Sequence, residues 1–130
     1  MSKAFTINGA NINDLETLYK ELNKTFMQNE DWELAQSLDA LNDLFYGGIG
    51  SFPSGEPVTI TWENFEQNQR LFGKDFTIRW YEQKLDQSQH YNIKWVRERL
   101  AELRKGTGKT YFEIILEIIA EHKNIRLIPA

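Results

Sequence analysis

The sequence predicts an α/β fold, a small three-stranded parallel sheet packed with helices. Three short stretches, residues 4–8, 58–62 and 125–128, have strand character, and helical patterns separate them. Strands that alternate with helices favour right-handed crossovers and therefore a parallel sheet. Because the chain has 130 residues and 41% hydrophobic content, we expect one domain spanning residues 1–130.

Two helices are predicted between the first two strands. Asn13 or Asp14 can cap the first, whose apolar residues Leu15, Leu18, Tyr19, Leu22 and Phe26 recur at helical spacing. The second is short, with Ser37 as its expected N-cap and Gly47-Gly48 as its end, and Leu38, Leu41, Leu44 and Phe45 line one face. Residues 49–57 contain several glycines and prolines, which predict a loop.

Three further helical segments are expected in the second half of the chain. One covers residues 65–72 before Gly73, although its polar residues weaken the apolar face. Another begins near Ile93 and ends near Gly106, and the stretch just before it is ambiguous. The last is capped by Thr110 and carries an apolar stripe formed by Phe112, Ile115, Ile118 and Ile119.

Charge is distributed unevenly along the chain, whose net charge is −4. Residues 74–110 hold nine Lys or Arg and five Asp or Glu, so the net charge of this segment is +4. The remaining residues hold six Lys or Arg and fourteen Asp or Glu, so their net charge is −8. An acidic surface can have no role beyond keeping the protein in solution. The more specific interpretation is that it binds a basic partner. The chain has no cysteine, no signal-peptide pattern and no apolar stretch of membrane-spanning length, so we expect a cytoplasmic protein without a membrane partner.

Two acidic rows stand out on the predicted helices. Asp39 and Asp43 are four residues apart and project from one face, where their mutual repulsion would be relieved by a positively charged partner. Asp39 would also gain from the helix dipole near the N-cap, whereas Asp43 would largely lack that benefit. Glu113, Glu117 and Glu121 form the second row. A solvated polar face is the simpler interpretation of both rows.

Other site chemistries find less support in the residue patterns. No mixed ligand cluster at metal-binding spacing is evident, and we predict no metal, cofactor or catalytic residue, although a carboxylate-based hydrolase stays a third hypothesis. His90 and His122 lack motif partners and are expected at the surface. Residues 106–110 resemble part of a phosphate-binding loop, but Leu103 stands where that motif needs glycine, so we predict a turn between helices.

Nucleic-acid binding is a distant alternative. Aromatic residues interleave with Lys and Arg between residues 79 and 99, as they do on some surfaces that bind single strands. The acidity of the whole chain argues against this interpretation, and packing within a helical segment explains the aromatic residues more simply. We therefore predict no direct contact with nucleic acid.

The predicted second helix resembles a motif of the barstar family. Ser37-Leu38-Asp39-Ala40-Leu41-Asn42-Asp43-Leu44 is similar to the family's Asn-Leu-Asp-Ala-Leu-Trp-Asp-Cys-Leu. Residues 5–9 resemble the family's first strand and turn, residues 58–67 its second strand and Trp-x-x-Phe-Glu-Gln helix start, and residues 112–128 its last helix and strand. The resemblance covers residues 4–73 and about 111–128, and it leaves residues 74–110 as a mainly helical insertion within the domain.

The resemblance implies an intracellular ribonuclease inhibitor that is not an enzyme. Family members plug the active site of a basic, barnase-like ribonuclease with an acidic helix, and a carboxylate takes the place of substrate phosphate. On this alignment Asp43 matches the acid in the phosphate site and Asp39 matches the other helix acid. Glu117 matches a peripheral acid on the last helix, and Gly47 a contact glycine after the second helix.

The sequence departs from the family pattern at its aromatic contacts. Asn42 replaces the family's helix tryptophan, and residues 33–35, Glu-Leu-Ala, replace a Tyr-Tyr-Gly loop, which leaves Trp32 as a candidate aromatic contact. An aromatic anchor often dominates an interface, so its replacement indicates either a nuclease other than barnase or an altered interface. We expect a monomer when free, in the role of an immunity protein. The alternative is a non-inhibitory interaction or regulatory module that binds through the insertion, residues 74–110.

Overall fold

The computed structural model describes residues 3–87 and 91–130. Three parallel strands lie in the order β1-β2-β3, with six α-helices among the described residues, which confirms the predicted α/β fold. The elements in chain order are β1 Lys3–Asn8, a 3-10 turn Gly9–Asn11, α1 Leu15–Phe26, α2 Leu38–Tyr46, β2 Val58–Glu63, α3 Phe65–Leu71, α4 Lys74–Leu85, α5 Ile93–Lys105, α6 Tyr111–Glu121 and β3 Ile125–Pro129.

The central strand β2 organises the core. It pairs in parallel with both neighbours, so that Ile60 is opposite Phe5 on β1 and Leu127 on β3. Ile60 and Trp62 are fully or almost fully buried, because a parallel sheet with helices on it leaves its central strand little solvent. The Trp62 Nε1–H donates to Asn68 Oδ1 at 2.8 Å, and Asn68 Nδ2 donates to the Gly9 carbonyl at 3.1 Å. The polar residue Asn68 in α3 is thus buried with its hydrogen bonds satisfied.

The helix ends follow the predicted capping residues. Asp14, rather than Asn13, caps α1 by accepting a hydrogen bond from the Thr17 N–H at 2.8 Å. The Ser37 hydroxyl accepts from the Ala40 N–H at 3.1 Å and begins α2. Thr110 begins α6 after a turn that starts at Gly106, the C-cap of α5. The predicted turn between these two helices is therefore confirmed.

The insertion forms a helical hairpin of α4 and α5 with a small core of its own. The ambiguous stretch before Ile93 contains α4, and its Tyr81 packs against buried apolar residues of α5, namely Val96, Leu100 and Leu103. The hairpin joins the main body at the start of α6. There the Tyr111 N–H donates to Thr77 Oγ1 at 2.7 Å, and the Trp80 ring contacts the Tyr111 ring at 4.9 Å between centroids.

The two ends of the insertion meet in space. The Phe112 N–H at the start of α6 donates to the Phe72 carbonyl at the end of α3, at 3.2 Å. The chain therefore leaves and re-enters the main body at a single point. Across residues 3–87 and 91–130, none of the helices combines the length and apolar character needed to cross a membrane.

Candidate functional site

The outward side of α2 collects the acidic residues singled out from the sequence. Asp39, Asn42, Asp43 and Tyr46 are spaced i, i+3, i+4 and i+7, which places them on one side of the helix, hereafter the α2 face. The opposite side is fully buried in the main core through Leu41, Leu44 and Phe45. Burial of one side and the Ser37 cap therefore fix which side chains α2 presents to solvent.

Negative charge on the α2 face is not compensated within the described part of the chain. Asp39 and Asp43 are exposed, and neither forms a salt bridge with any residue in 3–87 or 91–130. Residues 25–69 contain eight Asp or Glu and no Lys or Arg. The absence of Lys and Arg from residues 25–69 is visible in the sequence and indicates an acidic surface, which the spacing of the two acids alone does not indicate. The face should hold a negative potential that attracts cationic groups.

Asn42 is tied to a buried histidine. His122, the C-cap of α6, is only 9% exposed, and its Nε2 lies 3.0 Å from Asn42 Oδ1. The prediction that His122 lies at the surface is therefore wrong, because the imidazole fits under α2 with a polar partner 80 positions away along the chain. His90 lies outside the described residues. The Asn42 side chain is half-buried and already committed to this hydrogen bond.

Tyr46 is the residue of the α2 face that sequence reasoning missed. Its side chain is 65% exposed, and its ring meets the His122 ring edge-on at 4.7 Å between centroids. The predicted apolar stripe of α2 contains only positions that face the core, and Tyr46 lies outside it. Its spacing from Asp39 and Asp43 could have placed it on the acidic side.

Gly47 has a local structural reason to be glycine. It ends α2 with φ at 95°, a conformation that disfavours side chains, and a Cβ there would collide with the Pro53 carbonyl oxygen. The turn leads into the loop before β2, where the Gly48 N–H donates to the Phe52 carbonyl at 2.9 Å. The backbone alone therefore explains this glycine, whether or not it contacts a partner.

Glu117 lies beside the beginning of α2 but is paired. Its Oε2 is 2.6 Å from Lys109 Nζ, and the residue lines a groove together with Leu38, the first residue of α2. Both charged side chains are more than half exposed, so the pair is a weak surface ion pair rather than a fixed clamp. Glu117 borders the α2 face with much of its charge compensated.

Trp32 belongs to a different surface of the molecule. The side chain is 48% exposed and lines a shallow pocket with Lys20 and Lys24 of α1. The loop is held there because the Leu34 N–H donates to Asn23 Oδ1 at 2.7 Å. Asp39, Asn42, Asp43 and Gly47 therefore lie together, Glu117 lies next to them, and Trp32 lines a separate pocket.

Comparison with known proteins adds no family assignment. No protein-family model matches this chain, and no curated protein is significantly similar to it. The candidate site therefore depends on its own geometry. Within the described ranges, no three His, Cys, Asp or Glu side chains come together in a way that could hold a metal ion. The most distinctive arrangement is a rigid helix with an acidic, partly aromatic face.

Proposed function

We propose that this chain is a cytoplasmic protein inhibitor of a basic ribonuclease, in the role of an immunity protein against an RNase toxin. The α2 face would enter the nuclease active site and block it without catalysis by this chain. The observation that carries the proposal is the pair of exposed carboxylates, Asp39 and Asp43, which have no counter-charge among the described residues. The barstar-like motif at residues 37–44 and the parallel-sheet scaffold support the same function.

The chemistry of the α2 face suits a site built for phosphate. A ribonuclease holds the backbone of its substrate with cationic side chains, and carboxylate oxygens accept charge-assisted hydrogen bonds from the same groups. Asp43 gains most from such a partner, because its repulsion from Asp39 is otherwise uncompensated. The Ser37 cap and the buried side of α2 hold both carboxylates in place before binding, which lowers the entropy lost on association.

Tyr46 supplies the aromatic part of the proposed interface. Asn42, where the barstar motif has tryptophan, is tied to His122 and contributes little apolar area. Tyr46 lies one turn further along the same face and is largely exposed. Tyrosine offers a large contact area at small entropic cost, and residues of this kind often dominate binding energy. The target should therefore have a pocket for an aromatic ring beside its cationic centre.

The decisive experiment measures binding and RNA cleavage with two nucleases, barnase and any small basic RNase encoded next to this protein. Wild type, Asp43→Ala and the control Glu66→Ala are compared at about 0.05 M and about 0.5 M NaCl. Glu66 is exposed near the carboxyl end of the sheet, so its removal changes the net charge equally but leaves the α2 face intact. We expect tight inhibition by wild type that weakens in high salt, because screening slows association.

Asp43→Ala should lose affinity at least about tenfold, whereas Glu66→Ala should bind almost as wild type does. Asp43→Ala should not impair folding, because it removes a like-charge repulsion on an exposed helix. If wild type inhibits neither nuclease, the proposed function is wrong. If both substitutions weaken binding equally, only net charge matters, and the assignment to the α2 face is wrong.

A second candidate function is a non-inhibitory interaction module that binds through the insertion. The observation that favours it is Trp95 on α5, which is 46% exposed within a segment of net charge +4. The same assay separates the two functions. Complex formation that leaves RNA cleavage intact and is insensitive to Asp43→Ala would support the second candidate.

A further inference from the structure

A groove runs between the insertion and the main body. It has a volume of about 500 Å³, within the range of ordinary ligand pockets. Its apolar walls come from four elements: Leu38 of α2, Trp80 of α4, Trp95 of α5 and Ile114 of α6. Trp95 exposes 46% of its surface although it stands in a concave site. A half-exposed tryptophan in a groove is typical of surfaces that bind another protein.

The charged residues of the groove are already paired. Arg99 Nε lies 2.7 Å from Glu102 Oε1, and Arg99 Nη2 donates to Glu102 Oε2 at 3.1 Å. Lys109 Nζ lies 2.6 Å from Glu117 Oε2. Two cations and two anions leave no net charge in the lining. A charged occupant would gain no net attraction from this lining and would lose its hydration, so an uncharged occupant is favoured.

One polar group in the groove, the Tyr81 hydroxyl, makes no hydrogen bond to the part of the chain that the structure describes. Tyr81 is 3% exposed and lines the groove. Burial raises the pKa of Tyr81, so the hydroxyl is neutral at physiological pH and can donate a hydrogen bond. A carbonyl oxygen bound in the groove would be an acceptor for this hydroxyl.

The groove continues the α2 face. Leu38 forms part of its wall and directly precedes Asp39, the first acid of the face. Glu117, which the barstar resemblance places at the edge of the interface, lines the same groove. A globular partner seated on the α2 face would therefore also cover the groove, since a standard interface extends over about 800 Å² on each partner.

We propose that this groove is a second docking site for the ribonuclease bound by the α2 face, and that it takes one uncharged apolar side chain from the nuclease surface. The Tyr81 hydroxyl donates to a carbonyl oxygen beside that side chain. The inference depends on the proposed function and adds to it a role for the insertion. The α2 face supplies electrostatic attraction, and the groove supplies apolar burial that discriminates among nucleases with similar active sites.

The test uses the full chain with the same two nucleases and measures association and dissociation rates. The variants are Trp95→Ala, Tyr81→Phe and the control Tyr91→Ala, which removes an exposed aromatic ring of the insertion outside the groove lining. Trp95→Ala should weaken binding at least about tenfold through faster dissociation. Tyr81→Phe, which keeps the packing, should weaken binding about two- to tenfold, and Tyr91→Ala should have little effect.

The double variant Asp43→Ala with Trp95→Ala tests whether the two sites act independently. The two fold-changes should multiply, because separate contacts are additive in free energy. If Asp43→Ala weakens binding but Trp95→Ala and Tyr81→Phe do not, the groove proposal alone is overturned. If the two fold-changes do not multiply, the groove does not act independently of the α2 face, and the proposal of an independent second site is overturned. If wild type binds neither nuclease, the proposed function fails and the groove proposal fails with it.

Discussion

The barstar resemblance aligns Asn42 with a helix tryptophan, and the structure shows how the surroundings of this position fit an amide. The side chain turns toward the buried His122 imidazole, which also contacts the Tyr46 ring. The buried histidine therefore contacts two residues of the α2 face from the protein interior. If the α2 face forms the proposed interface, its aromatic contact is Tyr46, one turn along the helix from position 42.

Replacing Tyr46 tests this interpretation. In the proposed complex, Tyr46→Ala should weaken binding to the nuclease at least about tenfold, because a large exposed ring beside two carboxylates suits an interface anchor. Tyr46→Phe should retain most of the affinity, since it keeps the ring. Stopped-flow or surface-based binding kinetics would measure both, and Trp32→Ala in the same assay would report on the other candidate aromatic residue. Unchanged affinity in Tyr46→Ala would show that α2 binds through its carboxylates alone.

Residues on the α2 face were predictable when local spacing determined their position. Asp39 and Asp43 project together because they are four residues apart on a helix, which the sequence displays directly. His122 was not predictable in the same way, because its burial depends on Asn42, a partner 80 positions distant. Trp32 is predicted as an aromatic contact because residues 33–35 lack the aromatic side chains of the family's loop, yet the hydrogen bond from Leu34 to Asn23 holds the segment of Trp32 against α1.

Among the elements, α4 shows why the sequence pattern does not predict some helices. Its apolar residues divide between two cores: Phe76 packs against the main body, whereas Tyr81 packs against α5. Trp80 contacts both cores. A helix buried on two sides lacks the single stripe that helical periodicity detects. By contrast, α1, α2 and α6 each bury one side and begin at a recognisable cap, and the sequence predicted all three.

The attachment of α4 to α6 depends on Thr77. Its Oγ1 accepts from the Tyr111 N–H and donates to the Gly73 carbonyl, both at 2.7 Å, and the residue is fully buried. Thr77→Val keeps the shape but leaves the Tyr111 N–H without an acceptor, so it should lower the free energy of unfolding by about 1–3 kcal/mol. Thr77→Ser retains the hydroxyl and should cost about 1 kcal/mol or less. Urea denaturation followed by circular dichroism would compare them, and equal losses would contradict the assigned hydrogen bonds.

At the scale of the whole molecule, a buried tyrosine pair connects distant parts of the chain. The hydroxyls of Tyr19 on α1 and Tyr111 on α6 lie 2.7 Å apart. Burial raises the pKa of Tyr111 to about 12 from its ordinary value of 10.0, and burial also raises the pKa of Tyr19. The folded protein therefore holds both tyrosines neutral at pH values where the unfolded chain ionises.

This pair should make stability fall at alkaline pH. The contribution is fully present below about pH 10 and is lost as the pH rises toward about 12, because the unfolded state releases protons first. The slope should approach about 1.4 kcal/mol per pH unit for each tyrosine. Urea denaturation at about pH 9 and about pH 11 would measure it. The double variant Tyr19→Phe, Tyr111→Phe removes both hydroxyls without leaving one unpaired, and it should reduce the slope; an unchanged slope would assign the effect elsewhere.

The three-stranded parallel sheet, although not its strand order, was predictable because strands that alternate with helices favour parallel pairing. The docking of the hairpin was not, since it depends on long-range contacts such as the Trp80 ring against Tyr111. The groove between hairpin and body is a product of that docking, so no local pattern could indicate it. Charge segregation was visible from the sequence, but the fold was needed to show that Asp39 and Asp43 are exposed and form no salt bridge with the described residues.

The meeting of Phe72 and Phe112 has an evolutionary consequence. The hairpin departs from the main body at Phe72 and returns to it at Phe112, and a hydrogen bond joins these two points. The inserted segment therefore affects the sheet no more than a tight loop would. Its length and composition can then drift without altering strand register.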